Sequence, residues 1–171
     1  MDRAKNIIVL DFVLLIGSLL IILCPLLKIT EINYILLSMF LLYGYISSFK
    51  FLLRRNYRDF ESLYTSMAAL SFSAILFFTN LNTNKSLALF ILIWSFVLAI
   101  IKLIKCDYYH DLKNPLWMSK MMNLVLFLIT GFISSINFNS GNTVSIIVIG
   151  YFFLINFIVE LMHDVFEMIR G

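Results

Sequence analysis

The chain alternates between long apolar runs and short polar segments. Each run is close to the roughly 20 residues that an α-helix needs to cross the hydrocarbon core of a bilayer. Helices are expected because a membrane-spanning segment must pair its own backbone amides, whereas β-barrel strands would be shorter and would alternate apolar with polar residues. The pattern predicts an all-α polytopic membrane protein, a single domain over residues 1–171 with six transmembrane helices. The runs cover about residues 7–27, 32–53, 62–79, 86–105, 116–136 and 143–163.

Three of the polar segments are short turns that follow the first, third and fifth runs at nearly equal intervals. They are Pro25–Glu31, Asn80–Ser86 and Asn137–Thr143. Proline, Asn, Gly and Ser favour turns and end helices for conformational reasons. Each turn joins two runs into a helical hairpin, and internal repeats of this kind are common in membrane proteins. The chain is therefore predicted to contain three hairpin repeats, at about residues 7–53, 62–105 and 116–163.

The composition agrees with a lipid environment. Of the 171 residues, 61% are hydrophobic and 13% are charged, whereas a soluble domain is about half apolar and a quarter charged. The chain has too little polar surface to cover a water-soluble globule of its size. Its two cysteines, Cys24 and Cys106, show no spacing typical of a metal or redox site and are interpreted as small apolar packing residues.

The basic residues are distributed unequally between the two sides of the predicted membrane. Eleven lie at the termini and in the second and fourth connections with their flanks, and two lie on the opposite side. Because cytoplasmic segments carry an excess of Lys and Arg, both termini are expected in the cytoplasm. The eleven are Arg3, Lys5, Lys50, Arg54, Arg55, Arg58, Lys102, Lys105, Lys113, Lys120 and Arg170, and the two are Lys28 and Lys85.

Two acidic residues fall inside apolar runs, where charges are costly and suggest a function. Asp11 is expected about one turn into the first span, and Glu160 about one turn from the inner end of the sixth. Helical spacing places Asn156, Glu160, His163, Asp164 and Glu167 on one face. Because histidine changes charge near neutral pH, one hypothesis is a proton-responsive cluster, comprising Asp11, Lys102, Glu160, His163 and Asp164. The alternative is an interfacial helix end, whose charges reach water or pair with Lys50 and Lys102.

The sequence offers little support for a metal site or an enzyme. Glu160 and His163 have the i, i+3 spacing of carboxylate-bridged metal sites, but such sites need the motif twice and it occurs once. A second histidine lies in Asp107–Asp111, which is interpreted as a loop. The chain contains no Gly-rich phosphate loop and no evident Ser/His/Asp set, and its connections are short. We therefore expect a non-enzymatic protein that uses no metal or other cofactor and binds no nucleic acid.

Small residues recur at helical spacing and predict close helix packing, because they let backbones approach in lipid. Intramolecular packing is the first interpretation and contact between copies is the alternative. One stripe on the third run comprises Ser62, Ser66, Ala69 and Ser73, and a second on the fourth run comprises Ala88, Ser95 and Ala99. Further pairs are Gly44 with Ser48 and Gly131 with Ser135.

The arrangement resembles the HdeD family of small bacterial inner-membrane proteins, over about residues 8–165. In that family, as here, a glycine-containing span leads to a proline turn, and a further span with a glycine leads to a basic cytoplasmic end, three times over. This chain has Asn80 and Asn137 where later repeats often have proline, and Ala99 and Asn156 where glycine is common. The first repeat carries "LLIGSLLIILCPLL" and "YILLSMFLLYGYISSFKFLLRRN", the second "FESLYTSMAALSFSAILFF" and "LALFILIWSFVLAIIKLIK", and the third "LWMSKMMNLVLFLITGFISS" and "VSIIVIGYFFLINFIVEL".

The resemblance implies a six-helix protein of the bacterial inner membrane that is linked to acid or stress tolerance. It supplies no established catalytic residues. Two other functions stay open: a small transport component, either a substrate-binding subunit or a channel, and an assembly protein that recruits a membrane partner or a second copy. The basic loops are also expected to bind anionic lipid headgroups.

Overall fold

The computed structural model of the protein is an all-α bundle. It describes residues 2–29, 31–54, 60–79, 81, 83–137 and 142–170. Its helices are α1 (Asp2–Leu23), α2 (Ile32–Leu53), α3 (Phe60–Phe78), α4 (Asn84–Asp111), α5 (Trp117–Asn137) and α6 (Asn142–Arg170). The predicted all-α fold with six helices is confirmed, and each helix contains a stretch that is long and apolar enough to cross a membrane. The chain is therefore a multi-pass integral membrane protein.

The outer surface of the bundle is apolar, as lipid requires. Large hydrophobic side chains are exposed on every helix; Phe77 and Phe78 on α3 are 71% and 82% exposed. These side chains would face hydrocarbon in a bilayer, whereas the polar and charged side chains described below point inward. The molecule thus has a polar interior at one end and an apolar exterior.

The helices form a closed ring in chain order. Each helix packs against the preceding and the following one, and α6 returns to pack against α1. The most extensive contacts are those of α2 with α3, α4 with α5 and α6 with α1. In each case the two helices belong to neighbouring predicted hairpins, so the ring is held mainly by contacts between hairpins. The division into three sequence repeats stays a prediction.

Glycines let the backbones approach closely at each of these three interfaces. A Cβ at Gly44 would lie 2.8 Å from a methyl group of Leu70 on α3, and a Cβ at Gly131 would lie 2.7 Å from the Cβ of Ser95 on α4. At Gly150 the added atom would lie 3.1 Å from the backbone nitrogen of Ile22 on α1. A larger residue would therefore require the neighbouring atoms to move: side-chain atoms of Leu70 at Gly44 and of Ser95 at Gly131, and side-chain and backbone atoms of Ile22 at Gly150.

Aromatic rings fill the centre of the bundle. Phe40 on α2 is fully buried, and its ring centroid lies 4.6 Å from that of Trp94 and 5.8 Å from that of Phe90, both on α4. Phe72 on α3 and Phe153 on α6 complete its surroundings, with centroids 6.2 Å and 5.9 Å away. Four of the six helices therefore meet in one aromatic layer.

Three helices extend several residues beyond the predicted apolar runs. Asp107–Asp111 was predicted to be a loop, and this was wrong, because these residues form the last turns of α4. The helix ends where Leu112 caps it and Lys113 adopts a positive φ of 53°, shortly before Pro115. Helix α6 likewise continues to Arg170, and α1 begins at Asp2. Asp11 and Glu160 consequently lie more than two turns from the ends of their helices, while their depth in the membrane stays a prediction.

Candidate functional site: a buried charge cluster

Buried and partly buried charged side chains gather at one end of the bundle, and every helix contributes at least one. They lie near the beginnings of α1, α3 and α5 and near the ends of α2, α4 and α6, so successive helices run in opposite directions. We call this set the charge cluster. Its four acidic members are Asp11, Glu61, Glu160 and Asp164, and its four basic members are Lys50, Arg54, Lys102 and Lys120.

The first half of the charge cluster is centred on Lys50 of α2. Its ammonium group forms an ion pair with Asp11 of α1, and its Nζ lies 3.3 Å from Oδ2 of Asp164 on α6. The other carboxylate oxygen of Asp164 accepts a 2.8 Å hydrogen bond from Nη2 of Arg54. Asp11 is 1% exposed and Lys50 6%, so these charges are compensated by each other rather than by water.

The second half joins the other helices. Nζ of Lys102 on α4 donates a 2.8 Å hydrogen bond to Oε1 of Glu160 on α6, and lies 3.9 Å from Oε1 of Glu61 on α3. Nζ of Lys120 on α5 donates to Oε2 of Glu61 at 2.9 Å. The Tyr43 hydroxyl of α2 donates to Glu160 at 3.0 Å. Three ion pairs and one hydrogen bond from a tyrosine hydroxyl to a carboxylate thus connect α2, α3, α4, α5 and α6.

Helix α6 links the two halves. Glu160 and Asp164 are one turn apart and lie on the same helical face. Asp164 pairs with Lys50 and Arg54 in the first half, and Glu160 pairs with Lys102 in the second. Asn156, one turn further into the membrane, is also buried, and its Nδ2 lies 2.6 Å from the carbonyl oxygen of Phe152 and 3.2 Å from Oγ1 of Thr130 on α5. The polar face predicted for this helix therefore points into the bundle.

His163 lies on the same face and is 2% exposed. Its ring centroid is 6.5 Å from that of Tyr109 on α4. Neither ring nitrogen has a hydrogen-bond partner among the described residues. A buried polar group usually has a partner, so the unpartnered imidazole of His163 needs an explanation.

A small cavity lies beside His163. Its volume is about 30 Å³, and its walls come from α2, α3, α5 and α6. Three acidic and three basic members of the charge cluster line it, together with the hydroxyls of Ser47, Ser62 and Thr65. The site therefore combines a polar pocket, balanced charges and one unpaired imidazole.

The structure brings the sequence-predicted residues together. Asp11, Lys102, Glu160 and Asp164 belong to the charge cluster, His163 lines the cavity, and Lys50 and Lys102 form the expected ion pairs. The interfacial alternative predicted charges that reach water or pair with Lys50 and Lys102; the pairing is observed, and most of these side chains are nearly inaccessible. Whether the charge cluster responds to protons stays a prediction. Predictions for Arg3, Arg55, Arg58, Glu167 and Arg170 fall on side chains outside the described ones, and Asn80 also lies outside the described residues.

The sequence prediction missed three members, Arg54, Glu61 and Lys120, which were noted only as loop charges or not at all. A signal for two of them exists. Glu61 precedes buried Thr65 by four residues on α3, and Lys120 precedes buried Asn123 and Phe127 on α5. Glu61 and Lys120 therefore lie on the same helical face as buried residues. This spacing indicates that their side chains point into the bundle.

The predicted packing residues lie at two of the closest interfaces. On α3, Ser62, Ala69 and Ser73 are buried, and Ser66 donates a 2.9 Å hydrogen bond to the carbonyl oxygen of Gly44 on α2. Ser66 and Ser48 place their hydroxyl oxygens 2.5 Å apart across the same interface.

Between α4 and α5, Ser95 lies against Gly131, and Ala99 is 7% exposed. Ser135 is half-buried and donates within its own helix to Gly131 at 2.9 Å.

No family model, no curated protein and no solved structure matches this chain. Within the described part of the chain, no three His, Cys, Asp or Glu side chains are grouped so that they could hold a metal ion. What the site offers is a set of ionisable groups whose charges compensate one another away from water.

Proposed function

We propose that this membrane protein is an HdeD-like, non-enzymatic protein of the bacterial inner membrane that acts in the response to acid or related stress. Its termini and its charge cluster would lie on the cytoplasmic side. The observation that supports the proposal is the charge cluster itself: ionisable groups from all six helices are buried together at the end where the sequence concentrates Lys and Arg.

The charge cluster is suited to respond to protons because its members depend on each other. Protonation of Glu160 would remove the closer partner of Lys102, and protonation of Glu61 would remove the partner of Lys120 and the more distant partner of Lys102. Leaving a buried charge without its partner costs about 3–5 kcal/mol. Acidification would therefore weaken the contacts between the helix ends. We propose that the helix ends then move from one packed arrangement to another, and that this movement is the signal or the protective change.

The transport alternative has less support. A pore needs a polar path across the whole membrane, whereas the buried charges of the described residues gather at one end and the aromatic layer around Phe40 fills the bundle beyond them.

Exposed Lys5 and Lys113 lie at the same end as the charge cluster. We include anionic lipid headgroups in the proposal as their partners, since such lipids attract juxtamembrane basic residues.

Acid survival of bacterial cells tests this function. Cells that express the wild-type protein should survive an acid shift better than cells that carry an empty vector. At matched expression, the double variant Glu160→Gln, His163→Gln should lose most of this protection, because Gln at position 160 imitates the protonated carboxylate and Gln at position 163 removes the buried imidazole. Asp107→Asn is the matched control, since it neutralises an exposed carboxylate of α4 and should leave protection intact.

Two results would contradict the proposal in different ways. Equal survival with the wild-type protein and with the empty vector would remove acid response as the function. Full protection by the double variant would keep the function but exclude Glu160 and His163 from its mechanism.

A further inference from the structure

The cavity beside His163 has the properties of a hydrated site. Dry cavities in proteins are lined by apolar groups, whereas a cavity that holds water is polar and offers each water two to four partners. This cavity is lined by carboxylates, ammonium and guanidinium groups and hydroxyls. Its volume of about 30 Å³ has room for about two water molecules, because one water requires about 10–15 Å³ of such space.

His163 supplies an independent reason to place water there. It lines the cavity, is 98% buried given its 2% exposure, and has two ring nitrogens without a hydrogen-bond partner among the described residues. A neutral imidazole has one N–H donor and one acceptor nitrogen. Water can accept from the first and donate to the second, which no lysine or carboxylate alone can do.

The charges of the lining exclude an ion as the natural occupant. Glu61, Glu160 and Asp164 are balanced by Lys50, Arg54 and Lys120. A cation or an anion would leave one uncompensated charge in a buried region, and that is costly. A neutral molecule that both donates and accepts hydrogen bonds keeps the balance, and only water is small enough for the volume.

We propose that this cavity binds two water molecules that hydrogen-bond to His163 and connect it to the carboxylates of the charge cluster. The site exchanges water with one side of the membrane only. Arg54 caps the end of α2 and Glu61 lies in the first turn of α3, so the cavity reaches the end of the bundle. In the opposite direction Tyr43 packs on Trp94 and Phe157, with centroids 6.1 Å and 5.1 Å away, and closes the path.

The test is water-to-histidine magnetisation transfer in solid-state NMR. The protein would be labelled with ¹⁵N-histidine and reconstituted in bilayers. The chain has two histidines, and His110→Gln leaves His163 as the only labelled ring. We expect transfer from water protons to the His163 ring nitrogens on the millisecond timescale, although the side chain is almost inaccessible. No transfer to this ring would show a dry site and overturn the proposal.

A pair of serine variants locates the water. Ser47 lines the cavity and is 3% exposed, whereas Ser38 lies on the exposed face of the same helix. Ser47→Leu should fill the cavity and abolish the transfer, while Ser38→Leu should leave it unchanged. Transfer that persists in a folded Ser47→Leu protein would mean that water reaches His163 by another route and would contradict the assigned site. The NMR measurement does not depend on acid survival. A dry cavity would overturn this proposal and leave the proposed function untouched, and loss of the proposed function would leave the hydrated cavity untouched.

Discussion

Lys50 shows why single residues matter in the charge cluster. It bridges Asp11 on α1 and Asp164 on α6, and all three side chains are almost inaccessible. A buried ion pair adds little net stability compared with a well-packed apolar pair, because both charges lose their hydration. Removing one partner is different, since it leaves the other charge buried without compensation. Each member of the charge cluster therefore becomes necessary once the others are present.

The first prediction follows from this dependence. Lys50→Met should leave Asp11 without its ammonium partner and Asp164 with Arg54 alone, and should lower the free energy of unfolding by about 3–5 kcal/mol. Lys85→Met is the matched control, because Lys85 is exposed at the opposite end of the bundle and an exposed substitution changes stability by about 0.5 kcal/mol or less. Thermal unfolding in detergent measures both. Equal melting temperatures for the two variants would show that Lys50 is not a buried ion-pair partner.

The sequence predicted part of this chemistry at the residue level. Asp11 and Glu160 stood out because charges are rare in apolar runs, and Lys50 and Lys102 were expected to pair with acidic residues at the same depth. Glu61 and Lys120 lie close to the ends of their apolar runs, where charges are ordinary. Their ion pair forms because the beginnings of α3 and α5 lie close together in the bundle. The periodicity of a single helix does not reveal which other helix lies beside it.

At the level of helices, small residues determine which pairs pack most closely. The stripe of Ser66 and Ala69 on α3 faces Gly44 on α2, and Ser95 on α4 faces Gly131 on α5. The stripes themselves were visible in the sequence. The helices against which they pack were not, because a stripe of small residues does not indicate which neighbouring helix it contacts. In the ring, each stripe packs against a helix of the adjacent hairpin rather than the other helix of its own hairpin.

The second prediction tests this packing with one substitution at two positions of α3. Ala69 is fully buried against α2, while Ala74 is exposed. Ala69→Leu should force the helices apart and destabilise the protein by about 1–3 kcal/mol, the usual cost of overpacking. Ala74→Leu should be close to neutral because its side chain would face lipid. Thermal unfolding in detergent measures both variants. If both had the same melting temperature as the wild-type protein, the predicted contact of Ala69 with α2 would be wrong.

The helix ends explain the error at Asp107–Asp111. Hydropathy falls where a helix leaves the membrane, but nothing in that segment breaks a helix. The first breaking signals after it are Asn114 and Pro115, and α4 ends just before them. Apolar runs therefore predict membrane-spanning lengths, whereas helix ends follow local conformational preference.

At the level of the whole molecule, polarity is distributed along the bundle axis. Buried charges occupy one end, the aromatic layer around Phe40 occupies the middle, and lipid-facing hydrophobic side chains surround both. The sequence predicted the six helices and the side on which basic residues gather. It predicted acidic partners for Lys50 and Lys102 but not the ion pairs of Arg54 and Lys120, because those depend on which helix ends meet in space.

A multi-pass topology with the charge cluster at the cytoplasmic end is tested most directly by cysteine accessibility in intact bacterial cells. Cys24→Ser and Cys106→Ala remove the native thiols. Leu26 and Leu112 are then matched positions, since both are exposed leucines in turns at opposite ends, 79% and 59% exposed. Leu26→Cys should react with a membrane-impermeant maleimide from outside, and Leu112→Cys should react only after the membrane is permeabilised. Labelling of Leu112→Cys in intact cells, with Leu26→Cys protected, would place the charge cluster on the outer side and contradict the account.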